Sequence, residues 1–222
     1  MRFLMIHTAG DEGSVALGDT EMAQAIVAAE VLPGRSSSER LIPTVRRLMA
    51  ESGWRLNELA AVAVVHGPGS FTGVRVGVSA AKGLSEAGVV PLIAVSRLAL
   101  LAASVDVGEQ TVHAVLDAGR GEFYYGEYVG RRCVREALMS AQDMVAAASG
   151  GLVVVCESKV AEALAELRPK LVDEPSAGDA LPFAVDRVAS GRFENAATLD
   201  ANYLRRTDAE IFAKPVAPRA GQ

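Results

Sequence analysis

The chain has 222 residues, half of them hydrophobic, and a formal net charge of −5. That length allows one large domain or two small ones with ample core, and the acidic balance argues against an unaided RNA binder, whose partner's phosphates demand a basic surface. The two cysteines form no disulfide framework and no metal spacing, residues 1–6 carry no cleavage pattern, and no apolar run reaches the ~20 residues of a membrane helix, so a cytoplasmic protein without membrane contact is expected.

Residues 3–8, 14–17 and 23–31 read as three short-looped antiparallel strands, separated by turns around Gly10–Gly13 and Gly18-Asp19. Ser37 or Ser38 then caps a helix running to about Ser52, with Leu41, Val45, Leu48 and Met49 on one stripe and Gly53 as the stop. Pro43 belongs in its first turn or shortly after. A buried strand at 60–65, a helix at 74–87, a buried strand at 92–95 and a helix from Ser96 to Ala103 follow. Three antiparallel strands followed by strand–helix–strand is the ribonuclease-H-like order, and it recurs more loosely. Residues 112–116 and 122–129 form a hairpin, 132–138 add a third strand, and 140–148 and 159–167 read as helices around a strand at 152–156. A short strand at 171–172 and a helix over 177–190, with Pro182 inside it, close the pattern. The expected fold is therefore α/β with two actin-like lobes of mixed sheets flanked by helices. Residues 1–105 form the N-terminal lobe, 106–200 the C-terminal lobe, and 201–222 a terminal segment ending in a Pro-containing tail at 214–222.

The densest motif is His66-Gly67-Pro68-Gly69-Ser70-Phe71-Thr72-Gly73-Val74-Arg75, between a strand and a helix. The first turn of a helix has free N–H groups, so such a junction suits ligands. It lacks a Gly-Lys-Ser/Thr ending, its glycines are spaced one residue off the dinucleotide fingerprint, and Pro68 removes a donor. A tight turn into a close-packed helix, with Ser70 or Thr72 as cap, competes here with nucleotide binding. Three arginine pairs, at Arg46-Arg47, Arg131-Arg132 and Arg205-Arg206, read as solvated faces.

Gly67 to Arg75, followed by Ala80-Ala81-Lys82-Gly83-Leu84, resembles the signature of the TsaB (YeaZ) family, which takes part in making threonylcarbamoyladenosine on tRNA. Ser38-Glu39-Arg40-Leu41-Ile42-Pro43 is similar to that family's helix start, residues 117–124 to its Gly-Glu-x-Tyr hairpin, and Tyr203-Leu204-Arg205 with Asp208-Ala209-Glu210 to its C-terminal pattern. The resemblance spans nearly the whole chain and implies a non-catalytic protein. It would bind and activate TsaD, the transferase acting on adenosine 37 of tRNA, with the ATPase TsaE as third partner. Contact with tRNA would come only through the complex, and the isolated chain would form a weak homodimer. The resemblance implies no cofactor and no metal. It also implies a partner interface built from the two N-terminal-lobe helices, through Leu41, Val45, Gly73, Val74, Gly77, Val78 and Ala81, beside the signature loop of Gly67, Pro68, Gly69, Ser70, Phe71, Thr72, Gly73 and Arg75. Gly73, Gly77, Ala81 and Ser85 recur every four residues, a small-residue ridge that either meets a partner helix or packs on the chain's own sheet.

Two enzymatic alternatives stay in view, a metal-dependent actin-fold ATPase and a peptidase-like enzyme. The first needs a carboxylate at the end of the first strand, where this chain has His7 in place of the family's usual Asp, a poor ligand for magnesium. Asp11 and Glu12 lie in the turn beyond. The second needs the His-x-x-x-His pair of TsaD, at whose positions stand Arg97 and Leu101. Ser70, His66 and Asp117 can be drawn as a triad, but Ser70 lacks a nucleophile elbow and suits capping better. Asp117-Ala118-Gly119 reads as a hairpin turn before it reads as a phosphate loop.

Overall fold

The computed structural model describes residues 1–148 and 150–204. The expectations for Arg205, Arg206, Asp208–Glu210 and the 214–222 tail lie outside the described residues.

The N-terminal sheet is built from β1 (Arg2–His7), β2 (Gly13–Asp19), β3 (Ile26–Leu32), β4 (Ala61–Val65) and β5 (Leu92–Val95), in the order β3-β2-β1-β4-β5. β1 pairs antiparallel with β2 and parallel with β4, and β4 pairs parallel with β5. Both faces of its middle are covered, which is why β4 reads Ala-Val-Ala-Val-Val with every residue buried rather than alternating. α1 (Ser37–Glu51) and α2 (Phe71–Gly88) pack on one another and lie against this sheet. α1 buries Leu41, Val45, Leu48 and Met49, and Pro43 falls in its second turn.

The second sheet repeats the plan. β6 (Thr111–Gly119), β7 (Glu122–Val129), β8 (Arg132–Ser140), β9 (Leu152–Val155) and β10 (Lys170–Leu171) are ordered β10-β9-β6-β7-β8, the same arrangement seen from the other edge. α4 (Ala141–Ala147) and α5 (Ser158–Ala163) cover one face through Met144, Val160 and, just past α5, Leu164, packed with Val115, Tyr125 and Val153. The helix expected over 159–167 starts one residue earlier and breaks after Ala163 into a 3-10 turn at Ala165–Leu167.

Two elements cross between the sheets. α3 (Arg97–Ala103) follows β5 in sequence, yet Leu98, Leu101 and Ala102 pack on Val112, Ala114 and Leu116 of the second sheet. In return the 3-10 turn Ala177–Ala180 and α6 (Leu181–Ala189) return to the first sheet, placing Ala177, Ala180, Leu181 and Ala184 in its core. The single helix expected over 177–190 is thus two pieces, because Pro182 sits at the start of α6, where its missing N–H is tolerated. The segment after α6 runs back along the first sheet: Glu194 N donates to Leu92 O at 2.8 Å, and Asn202 N to His66 O at 2.8 Å. Among the described residues no helix is long and apolar enough to cross a membrane.

Candidate functional site

Three places carry chemistry: the signature loop, the cleft at the end of β1, and the outer surface of α1 and α2.

The signature loop is close packing around glycine. Gly67 and Gly69 have positive φ, +111° and +155°, which side chains rarely adopt. A Cβ at Gly69 would strike the carbonyl oxygen of Ala9, one at Gly73 that of Thr8, and one at Gly77 the Thr8 hydroxyl. The turn's polar groups are engaged. Ser70 N donates to Ala9 O at 2.8 Å, Thr8 Oγ1 to Gly73 O at 2.6 Å, and Gly73 N to Ser70 Oγ at 3.2 Å. Ser70 is the cap of α2, and the helix therefore begins at Phe71, three residues before the expected start.

The small-residue ridge faces the same way. Gly73 and Gly77 receive the loop after β1, Ala81 is fully buried, and Ser85 Oγ donates to Val90 O at 2.6 Å. Leu41, Val45, Val74, Gly77, Val78 and Ala81 are buried and Gly73 is half-buried. These apolar side chains pack in the core of the first sheet, as the apolar stripe of a sheet-packed helix does, and lie beneath the outer surface of α1 and α2. Pro68 is buried and Thr72 exposed. The Gly67–Pro68 peptide is cis.

The cleft at the end of β1 is filled by protein groups. His7 is 1% exposed, and neither ring nitrogen has a hydrogen-bond partner among the described residues. Burial first, then the nearby Arg97 guanidinium, push its pKa down to about 3, so the ring is neutral at pH 7. Arg97 is 4% exposed. Its backbone N donates to Gly67 O at 2.7 Å, and its Nη2 meets Glu174 Oε1 at 2.6 Å and lies 3.9 Å from Glu157 Oε1. A Cβ at Gly10 would run into the Glu174 carboxylate, so that glycine makes room for the pair. Glu157 also accepts from Asp117 N at 2.9 Å, and burial raises its pKa. Lys159 Nζ pairs with Asp117 Oδ2 at 2.8 Å. His66 is not brought to Asp117: its neighbours are Asn202 and the end of β5. Leu101, one turn after Arg97, is wholly buried against the second sheet. Among the described residues no group of three or more His, Cys, Asp or Glu could hold a metal.

The outer surface of α1 and α2 is apolar and partly open. A groove of about 670 Å3 is lined by Ile42, Pro43, Trp54, Leu56 and Leu84, with Arg46 and Arg47 beside it. At the start of α2, Phe71 is 50% exposed. The Arg75 guanidinium stacks 3.6 Å above its ring and donates through Nε to Tyr203 OH at 2.7 Å. Lys82 Nζ holds the same returning segment through Leu199 O at 3.0 Å. Reading the sequence did not pair Arg75 with Tyr203. The signal available was only that both fall within family-like motifs 128 residues apart.

The family model described as TsaD, tRNA N6-adenosine threonylcarbamoyltransferase, matches residues 30–191. The tRNA threonylcarbamoyladenosine biosynthesis protein TsaB of Escherichia coli is 39% identical over 130 residues, 58% of this chain and 55% of that protein. That of Bacillus subtilis is 32% identical over 139 residues, 62% of this chain and 61% of that protein. A crystal structure from Pseudomonas aeruginosa, described as an uncharacterized protein with similarity to peptidase YEAZ, is 29% identical. It superposes with a TM-score of 0.77 over 92% of this chain and 99% of that one. The chain belongs to the TsaB (YeaZ) family. It spans about half the length of the curated TsaB relatives it matches. The actin-like, ribonuclease-H-like fold expected of a TsaB-family chain is the one seen here, with two mixed five-stranded sheets. The TsaB signature residues Gly69 and Gly73 are those on which the loop after β1 rests.

Proposed function

We propose that this chain acts in threonylcarbamoyladenosine formation on tRNA as a non-catalytic partner that docks on TsaD and favours its competent state. The observation that carries this reading is the filled cleft. Arg97, bound to Glu174 and set beside a neutral, buried His7, occupies the strand end where a fold of this plan would need a carboxylate and room for a nucleotide. A guanidinium committed to two carboxylates and a hydrophobic Leu101 offer nothing to a metal. Family membership supports the pathway.

The docking face in this reading is the exposed side of α1 and α2. Ile42, Pro43 and Phe71 are exposed, and Arg75 is pinned in place by Tyr203. An apolar surface between two helices suits a helical partner by burial of area rather than by polar readout. A ligand on this face shifts TsaD only by binding one of its states better than the other. TsaE joins the assembly, tRNA is met through it, and without TsaD the same face pairs weakly with a second copy by two-fold symmetry.

The test is reconstitution with TsaD and TsaE of the same organism. The chain alone should form no modified adenosine from threonylcarbamoyl-adenylate and tRNA, and adding it to TsaD should raise the rate. Ile42→Glu and Phe71→Ala should stay folded by circular dichroism and lose TsaD capture. Transfer activity of the chain alone, or undiminished capture with both variants, would overturn the reading.

A further inference from the structure

A second crevice lies between the sheets, sharing no residue with the His7–Arg97 cleft. It encloses about 750 Å3 outside the C-terminal ends of β4 and β5, at His66 and Ser96, and its far wall is the turn between β7 and β8. Open α/β sheets take ligands outside the carboxyl ends of their strands, and this volume is of the size that holds a small organic molecule.

The crevice is basic in an acidic chain. Arg131, Arg132, Arg187 and Arg192 line it against two carboxylates, Asp186 and Glu136. Both carboxylates are occupied. Asp186 Oδ2 pairs with Arg131 Nε at 2.8 Å. Glu136 accepts from Asn202 Nδ2 at 2.7 Å and from the hydroxyls of Ser96 and Tyr128. Arg192 donates through Nε to Ser190 Oγ at 3.0 Å. The guanidinium groups of Arg132 and Arg187 have no ion pair or hydrogen bond among the described residues. Burial lowers the pKa of His66, so the free positive charge of the crevice is that of its arginines. The opposite lining is apolar, with Val95, Ala99 and Phe183 at the wall.

We propose that this crevice binds a phosphate-bearing nucleoside unit, its phosphate held by Arg132, Arg187 and Arg192 and its base laid against Val95, Ala99 and Phe183. Guanidinium groups match phosphate oxygens in paired geometry, and two that have no other partner among the described residues give up no bond seen there to do so. The apolar wall favours a flat base over a bare anion. Glu136, on β8, is held by three donors, from β7, the cap of α3 and the returning segment, so the floor is fixed before a ligand arrives. The unit has two sources, a free nucleotide or a nucleotide of an RNA strand, and both present the same chemistry to the arginines.

Calorimetric titration of the full chain with AMP, inorganic phosphate and a short single-stranded RNA tests this. AMP should bind, and the double variant Arg132→Glu/Arg187→Glu should weaken it at least about tenfold. Arg132 is exposed and Arg187 half-buried at the crevice wall, so the variant is compared with the wild type by melting, and the single variant Arg132→Glu, which should keep the wild-type melting temperature, should weaken AMP binding in the same direction. Arg46→Glu, on α1, should bind AMP like the wild type. If the RNA binds more tightly than AMP, with an affinity that falls steeply with salt and with a shallower salt slope in the double variant, the source is a nucleic acid. If it binds no better than AMP, the source is a free nucleotide. Absence of heat with both AMP and RNA, equal affinity for AMP and inorganic phosphate, or unchanged binding by the double variant would each overturn the proposal. Capture of TsaD by the double variant is expected to be intact, so failure here and failure of the docking reading are separable.

Discussion

The two sheets share one strand order and end in opposite chemistry. The first strand of the N-terminal sheet runs into His7, buried and without a polar partner among the described residues, then into a loop pressed onto glycines of α2. The first strand of the second sheet ends at Gly119, two residues after Asp117, which is half-exposed and paired with Lys159. The difference also shows in their third strands: β3 alternates half-buried and exposed residues, whereas β8 begins with Arg132, Cys133, Val134 and Arg135 all exposed. Repetition of topology thus conserves the framework, while each strand end is free to become either a packing contact or a solvated charge pair. In this chain the N-terminal half has spent its strand end on packing, and Arg97 joins that tight end to the carboxylates of the other half.

The contrast breaks most sharply at Gly73. Gly73→Val puts a side chain into the Thr8 carbonyl and should cost about 3 kcal/mol, read as a drop in Tm, because overpacking at rigid backbone has no cheap relief. Gly119→Ala, at the equivalent strand end of the second sheet, meets no atoms and is limited by its φ of +74°. It should cost only about 1 kcal/mol. Equal losses would mean the two ends are packed alike.

Arg97→Met leaves Glu174 and the more buried Glu157 without their cation. The expected loss is about 2 kcal/mol, below the usual range for a broken buried pair because Glu174 is partly solvated. Adding Glu174→Leu should recover part of it. No recovery would place the cost in Glu157, since the backbone bond from Arg97 N to Gly67 O survives the substitution.

His7 adds a pH dependence. Its folded pKa of about 3 lies below the ordinary 6.5, so between those values the unfolded chain binds a proton that the folded one refuses. Stability is full above about pH 6.5 and falls as the pH falls. At pH 5 the expected loss from this group is about 2 kcal/mol. His66 and His113 shift in the same direction and add to the slope. Denaturant melts of His7→Leu between pH 7 and 5 should show a shallower decline than the wild type, and an unchanged slope would remove His7 from the account. The smallest change is expected at Phe71→Ala, within about 0.5 kcal/mol by melting, since the ring is half exposed.

Much of this was readable from the residues because it is local. Continuous apolar runs placed β4 and β5 within a residue, and Ser96 marked where α3 begins. What was not readable depends on partners distant in the chain. The stripe of Leu41 and Val45 and the ridge of Gly73 and Gly77 look the same whether they face a sheet or another protein, and only the position of Thr8 decides. Arg97 could be read as the absence of a histidine. That it fills the cleft needed Glu174, 77 residues away. The exchange of α3 and α6 leaves no mark in periodicity: α3 is apolar on every side beyond Arg97, and the stripe of α6 does not say which sheet it meets.

That exchange has a consequence for how the chain is made. The N-terminal sheet leaves the ribosome first, yet four of its core residues, Ala177, Ala180, Leu181 and Ala184, come from near the end. Until then one face of the nascent sheet is bare, and α3 waits uncovered for strands not yet synthesised. The halves therefore mature together rather than in turn, and a nascent chain released early would expose the apolar surface that chaperones hold.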